Sequence, residues 1–211
     1  MWCLTGQEDE KEYRISKNRL EALFDGIFAF AMTLLVTGLV IQPLSDSKAA
    51  AELPSLVAAM HPEFFSFLIA FFVLASFWLV HHRQFSFVRT IDPALVQITL
   101  FILAFTVLMP FTTNVSGDYP DVQVAVDLFH ANMFILGMLF LIHWSYLIRN
   151  PNLTTAGISA QNAANGVRRA LVVPFVSFLG IVLSFASPSW SMATYLLIPP
   201  LFLIIKRHFT V

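Results

Sequence analysis

Reactive or ligating side chains are sparse in this 211-residue chain: six histidines, a single cysteine, and an aspartate set into an apolar run. His130 and His143 stand thirteen residues apart in one apolar stretch. On a helix that separation is about 20 Å along the axis, with the rings on different faces, so one metal ion cannot take both. His81 and His82 are neighbours and point about 100° apart, which gives no chelating face either. The plain reading of that pair is a solvated helix end. Cys3 has no second cysteine to join and gives no support to redox chemistry. A Gly-rich phosphate loop, H-E-x-x-H and G-x-S-x-G are all absent. The expectation is therefore a protein that is not an enzyme and holds no cofactor or resident metal.

Asp25 is different. It is the acidic residue placed within an apolar helix, with Arg19 six residues before it. An ionisable group at such a position is costly and marks a functional-site candidate with a partner to be found. After it, Phe30, Thr33, Leu34 and Thr37 recur at three- and four-residue spacing and so share one helix face. That face mixes hydroxyls with large apolar groups. Two readings stay open on the residues alone. One is a water-lined path with an apolar constriction; the other is a small-residue packing stripe through Ala29, Thr33 and Thr37.

The elements that carry these residues follow from composition. Hydrophobic residues make up 57% of the chain and charged ones 12%, with mean hydropathy +0.74; a soluble domain carries about 25% charged residues. A water-soluble globule of this makeup would expose large apolar patches, so the lipid bilayer is the expected solvent. The net charge of −1 gives no basic field for nucleic acid. A membrane helix needs about 20 mostly apolar residues. The runs Gly26–Leu44, Phe64–Val80, Ala94 to Thr112, Leu128–Ile148 and Ala170–Ile205 meet that need. The last is too long for one span, and Ser187-Pro188-Ser189 divides it, leaving Trp190–Ile205 as the sixth. Eleven of the twelve basic residues fall on one side of such a layout: four in the N-terminal tail, Arg83 and Arg89, Arg149, Arg168 and Arg169, Lys206 and Arg207. Lys48 alone falls on the other. The positive-inside rule then places both termini in the cytoplasm. The expectation is an all-α integral membrane protein, one six-helix domain over 1–211 with a cytoplasmic tail at about 1–21. The tail has no secretory-signal pattern, the loop 114–127 is external and acidic, and 157–165 reads as a small-residue cytoplasmic linker.

The stretch Arg19-Leu-Glu-Ala-Leu-Phe-Asp25-Gly-Ile-Phe-Ala-Phe-Ala-Met-Thr33-Leu-Leu-Val resembles the first-helix signature of prokaryotic relatives of transmembrane protein 175, a lysosomal potassium channel. That signature runs Arg, three residues, Phe-Ser-Asp, an Ala/Ile-rich segment and Thr-Leu. Trp78-Leu-Val-His81-His82-Arg83 is similar to the family's Trp-x-x-His-His-Arg at the end of helix two. Asp92, followed by Leu108-Met-Pro110-Phe111-Thr112-Thr113, is similar to its third helix. Together the motifs cover about residues 14–115. Three positions depart: Leu23-Phe24 stands for Phe-Ser, and Thr99 for an asparagine.

The resemblance implies a potassium-selective channel in a prokaryotic plasma membrane, a homotetramer with helix one lining the pore and no T-V-G-Y-G filter. It implies an apolar constriction at Phe30, further layers at Leu34 and Thr37, and a threonine at Thr33, with potassium held transiently near Phe30 and Thr33. It also implies a polar network holding the pore helix, whose positions here are Arg19, Asp25, Trp78, His81, His82 and Thr99. Two other classes remain as alternatives: a proton- or solute-coupled transporter, with His130 and His143 as its ionisable groups, and a non-conducting membrane scaffold.

Overall fold

A backbone in hydrocarbon must satisfy its own hydrogen bonds, which makes helices the spanning form for these apolar runs. The computed structural model describes residues 16–155 and 157–207. The tail charges before Ser16, Cys3, and the side chains of Lys206 and Arg207 lie outside the described residues. Among the described residues, six helical spans are long and apolar enough to cross a membrane. Helix α1 (Lys17–Leu34) is prolonged by a 3₁₀ turn, Leu35–Gly38. Then come α2 (Asp46–Ala59) and α3 (His61–Phe85), the second span. Helices α4 (Pro93–Val107) and α5 (Met109–Asp118) make the third, and α6 (Gln123–Arg149) the fourth. Helices α7 (Ala160–Ala170) and α8 (Val172–Ser184) form the fifth. The sixth is broken into α9 (Pro188–Ser191), a 3₁₀ stretch Met192–Leu197, and α10 (Ile198–Arg207). The six-span architecture agrees with the sequence reading; several boundaries do not.

The first helix starts at Lys17, not Gly26, and its α-helical part ends at Leu34, not Leu44. Charged Arg19 and Glu21 limit the apolar run but not the helix, since their side chains leave backbone hydrogen bonding intact. The end comes where β-branched Val36 and Thr37 run into Gly38. Helix α2 was not expected; Ala49, Ala50 and Ala51 supply helix propensity there without an apolar run. The third span passes Pro110 and reaches Asp118, because Pro110 sits in the first turn of α5, where a missing N–H is harmless. The stretch expected as the linker 157–165 is helical from Ala160, capped by the Ser159 hydroxyl accepting from Asn162 N at 3.2 Å. Asp127, expected in the external loop, lies inside α6 and accepts from Ser184 Oγ at 2.6 Å.

Helix α6 is the hub, packed by α4, α5, α7 and α8. Its seam with α8 depends on small residues. A Cβ on Gly137 would lie 2.6 Å from the Pro174 ring, and one on Gly180 would lie 2.6 Å from His130. Glycine at both points lets the helices close up, as small residues do in membranes. A core of Phe24, Phe28, Phe77, Phe129 and Phe140 joins α1, α3 and α6. At one end of the bundle the turns are tied together. Thr155 N donates to Phe87 O at 3.0 Å, Arg89 N donates to Leu153 O at 2.7 Å, and Lys17 Nζ donates to Val88 O at 2.9 Å. Among the described residues, β pairing is limited to the isolated bridge Val88 to Thr154 in this clasp.

Candidate functional site

Helix α1 has two unlike faces. Leu20, Phe24, Phe28, Ala31 and Leu35, spaced by three and four residues, are completely buried against the rest of the chain. The opposite stripe, Leu23, Gly26, Phe30, Thr33 and Thr37, is exposed in the single chain, and Phe30 is 61% exposed. Leu34 is half-buried at the edge of that stripe. The shared face expected for Phe30, Thr33 and Leu34 lies on α1. Thr37 does not continue it as α-helix. It sits in the 3₁₀ turn, where the 120° step turns it about 60° from its α-helical line over three residues. Thr33 Oγ1 donates to Phe30 O at 2.8 Å and Thr37 Oγ1 donates to Leu34 O at 2.6 Å. With each hydroxyl proton committed to the helix, the oxygens face outward as acceptors only.

Behind this face the residues of the expected polar network separate into two groups. Asp25 Oδ1 accepts a hydrogen bond from Trp78 Nε1 at 2.8 Å, and the Trp78 indole stacks on His82 with ring centroids 6.0 Å apart. This first group is polar and exposed. The second is buried and aromatic: Phe24 lies flat on His81 at 3.2 Å between centroids and 4° between planes, and Phe85 covers the other side of the ring at 4.2 Å. Farther in, His143 Nδ1 meets Gln84 Oε1 at 2.6 Å. The amide oxygen can only accept, so His143 carries its proton on Nδ1.

Arg19 is exposed, and its side chain makes no hydrogen bond or ion pair with the described residues. Thr99 is buried and spends its hydroxyl on Leu95 O at 2.8 Å, with no bond to Asp25 or His81. The solvated helix end read for the histidine pair holds for His82 and fails for His81, which is 2% exposed. A single 100° step turns one ring into the bundle and the other out of it.

Two contributors, Gln84 and Tyr146, carry no signal in the sequence, and a third, Phe24, stands there only as a departure from the signature. Phe24 fills the space beside His81, Gln84 orients His143, and Tyr146 donates its hydroxyl to Asp92 Oδ2. Asp92 also caps α4 by accepting from Leu95 N at 2.8 Å. The pair Asp92-Pro93 carried a readable cap signal; the others depend on which helices meet. His130 and His143 lie in separate environments, as their spacing requires. His130 is held between Tyr195 Oη, 3.0 Å from Nδ1, and Ser191 Oγ, 2.9 Å from Nε2. No group of three or more potential metal ligands occurs among the described residues.

Comparison with known proteins places these features. The family described as Endosomal/lysosomal potassium channel TMEM175 matches residues 19–110, the segment that holds α1, the Asp25–Trp78 pair and α4. A protein of Streptomyces collinus named as a potassium channel is 27% identical over 182 residues, 84% of this chain and 86% of that protein. Another so named, from Chamaesiphon minutus, is 29% identical over 131 residues, 61% of this chain and 64% of its own length. Among solved structures, a lysosomal potassium-selective channel TMEM175 homologue from Chamaesiphon minutus superposes with a TM-score of 0.76 at 24% identity, covering 90% of this chain and 97% of that one. That superposition speaks for the fold. With the first-helix, second-helix and third-helix motifs in order on six spans, residues 19–110 match the TMEM175 family, and the chain is similar to bacterial proteins named as potassium channels.

Proposed function

We propose that the chain is a passive, potassium-selective cation channel in which four copies place α1 around a central axis in a prokaryotic plasma membrane, with both termini cytoplasmic. The observation that carries this reading is the divided environment of α1. Among the described residues one stripe is fully buried, and the other leaves Phe30 and Thr33 exposed with Leu34 half-buried at its edge. The bacterial relatives named as potassium channels support the same reading.

Four Phe30 rings form the narrowest point. An apolar ring supplies no carbonyl oxygens to replace an ion's water shell. It gates by dewetting and penalises the ion that holds its water more tightly, which disfavours sodium against potassium. The Thr33 oxygens offer weak acceptor ligands beside the ring, and Leu34 and Thr37 form the layers beyond. Asp25 serves mainly to hold Trp78 and so fix the rotation of α1.

The transporter alternative needs an ionisable group that faces water from alternate sides. His130 and His143 are enclosed and hydrogen-bonded, which suits packing. Ion flux through vesicles holding the purified protein under mixed potassium and sodium gradients tests the proposal. Wild-type protein passes potassium in preference to sodium, and Phe30→Ala leaks both. An unchanged ratio in Phe30→Ala removes the constriction assignment, and no flux from the folded wild type leaves the scaffold.

A further inference from the structure

The broken sixth span leaves an apolar crevice against α3. A 3₁₀ stretch is thin, with side chains in three eclipsed rows, and cannot lay the full ridges of an α-helix into a neighbour's grooves. Pro199 and Pro200 follow one residue beyond it, after Ile198. The space left is about 320 Å³, walled by Leu68, Phe72 and Ser76 of α3 and by Tyr195, Leu196 and Pro199. That is within the range of small-molecule pockets, about 300–1,000 Å³.

Water is a poor occupant. A buried water needs two to four polar partners, and both hydroxyls in the wall are already engaged. Ser76 Oγ donates to Phe72 O at 2.8 Å, while Tyr195 Oη lies between His130 Nδ1 at 3.0 Å and Ser177 Oγ at 3.4 Å. The direction of the crevice selects among apolar occupants. Phe72 and His81 are nine residues apart on α3, and so are Ile69 and Trp78. Nine residues are two and a half turns, so these pairs point to opposite sides of the helix. Trp78 and His81 face α1; the crevice therefore opens away from α1. Its rim, Phe72 at 64% and Leu196 at 59% exposed, continues the apolar belt of the spans. In a membrane that belt is the boundary with lipid.

We propose that this crevice is a binding site for a phospholipid acyl chain, which fills the gap between α3 and the broken sixth span. Among the described residues no charged side chain lines it, so it selects the hydrocarbon chain and not a headgroup.

The test is photolabelling of the full chain in phosphatidylcholine vesicles containing a phosphatidylcholine with a diazirine on one acyl chain, read by peptide mass spectrometry. Adducts are expected to concentrate on residues 65–76 and 195–199, above the level at the equally exposed Phe101 and Phe175. Ser76→Trp, which fills the mouth, reduces them to that level while labelling at Phe101 persists; Leu196→Trp does the same from the other wall. Even labelling of all four regions in the wild type overturns the site. So does a disulfide between copies in a Cys3→Ser, Leu196→Cys variant, which would show a second copy covering the crevice. Neither arm requires the chain to conduct, so failure here and failure of the channel reading are separate results.

Discussion

Phe24 occupies the position of the family signature's serine, and its ring lies flat on His81 instead of offering a hydroxyl. The change replaces a polar contact with packing and leaves Asp25 to Trp78 alone as the hydrogen bond from α1 to α3 among the described residues. Reinstating the signature residue is therefore harmful here. Phe24→Ser removes a fully buried aromatic side chain, a change of the kind that costs about 3–5 kcal/mol in a core. The expected outcome is a large fall in the thermal unfolding midpoint in detergent, with no gain in selectivity by vesicle flux. Asp25 has the opposite tolerance. Asp25→Asn keeps an oxygen to accept from Trp78 Nε1 and is expected to retain both stability and potassium flux. Asp25→Ala leaves the indole donor without its partner, at about 1–3 kcal/mol if that group stays out of water. If Asp25→Asn loses flux while keeping wild-type stability, the carboxylate charge itself serves conduction, and its role is more than pairing.

At the level of elements, the second half of the molecule is held by the seam between α6 and α8 and by the brace that ties the sixth span to it. His130 bonds two hydroxyls of that span, Tyr195 and Ser191, and it fits only because Gly180 has no side chain. Gly180→Val would press on the imidazole and spread the seam. It is expected to lower the unfolding midpoint more than His130→Gln, which keeps a donor and an acceptor. Limited proteolysis after Ser187 should report the loosened sixth span. The first half is secured differently, by Lys17 reaching Val88 O in the clasp where the turns after α3 and α6 meet. That arrangement anchors one end of α1 while its exposed stripe is left for other contacts. The two halves show no matching motifs, in keeping with an anchoring scheme particular to each.

Across the whole molecule, the exposed stripe on α1 makes a prediction about assembly. A residue near a rotation axis approaches its own copies, and a disulfide forms where Cα atoms come within about 4.4–6.8 Å. In a Cys3→Ser background, Phe30→Cys is expected to cross-link between copies on mild oxidation, seen as dimers on a denaturing gel. Phe101→Cys, 60% exposed on α4, is expected to stay monomeric under the same treatment. The reverse pattern would move the interface to another helix and remove the central path.

The sequence by itself determined the solvent and the span count, and it pointed to helix one. Those depend on sums and local periodicity: the apolar fraction, run length against bilayer thickness, and the spacing of Phe30, Thr33 and Leu34 after Asp25. Helix ends were less legible. Charge limited the apolar runs while hydrogen bonding and proline position limited the helices, as at Lys17, Leu34 and Pro110. The tertiary structure alone decided which partner each polar group found. His81 turned inward onto Phe24 while adjacent His82 turned out to Trp78, Thr99 closed on its own helix, and Gln84 met His143 across fifty-nine residues of chain. Such contacts arise from the register of one helix against another, which depends on small residues such as Gly137 and Gly180 on distant segments. Pattern along one helix says which face is apolar; only packing says what that face meets.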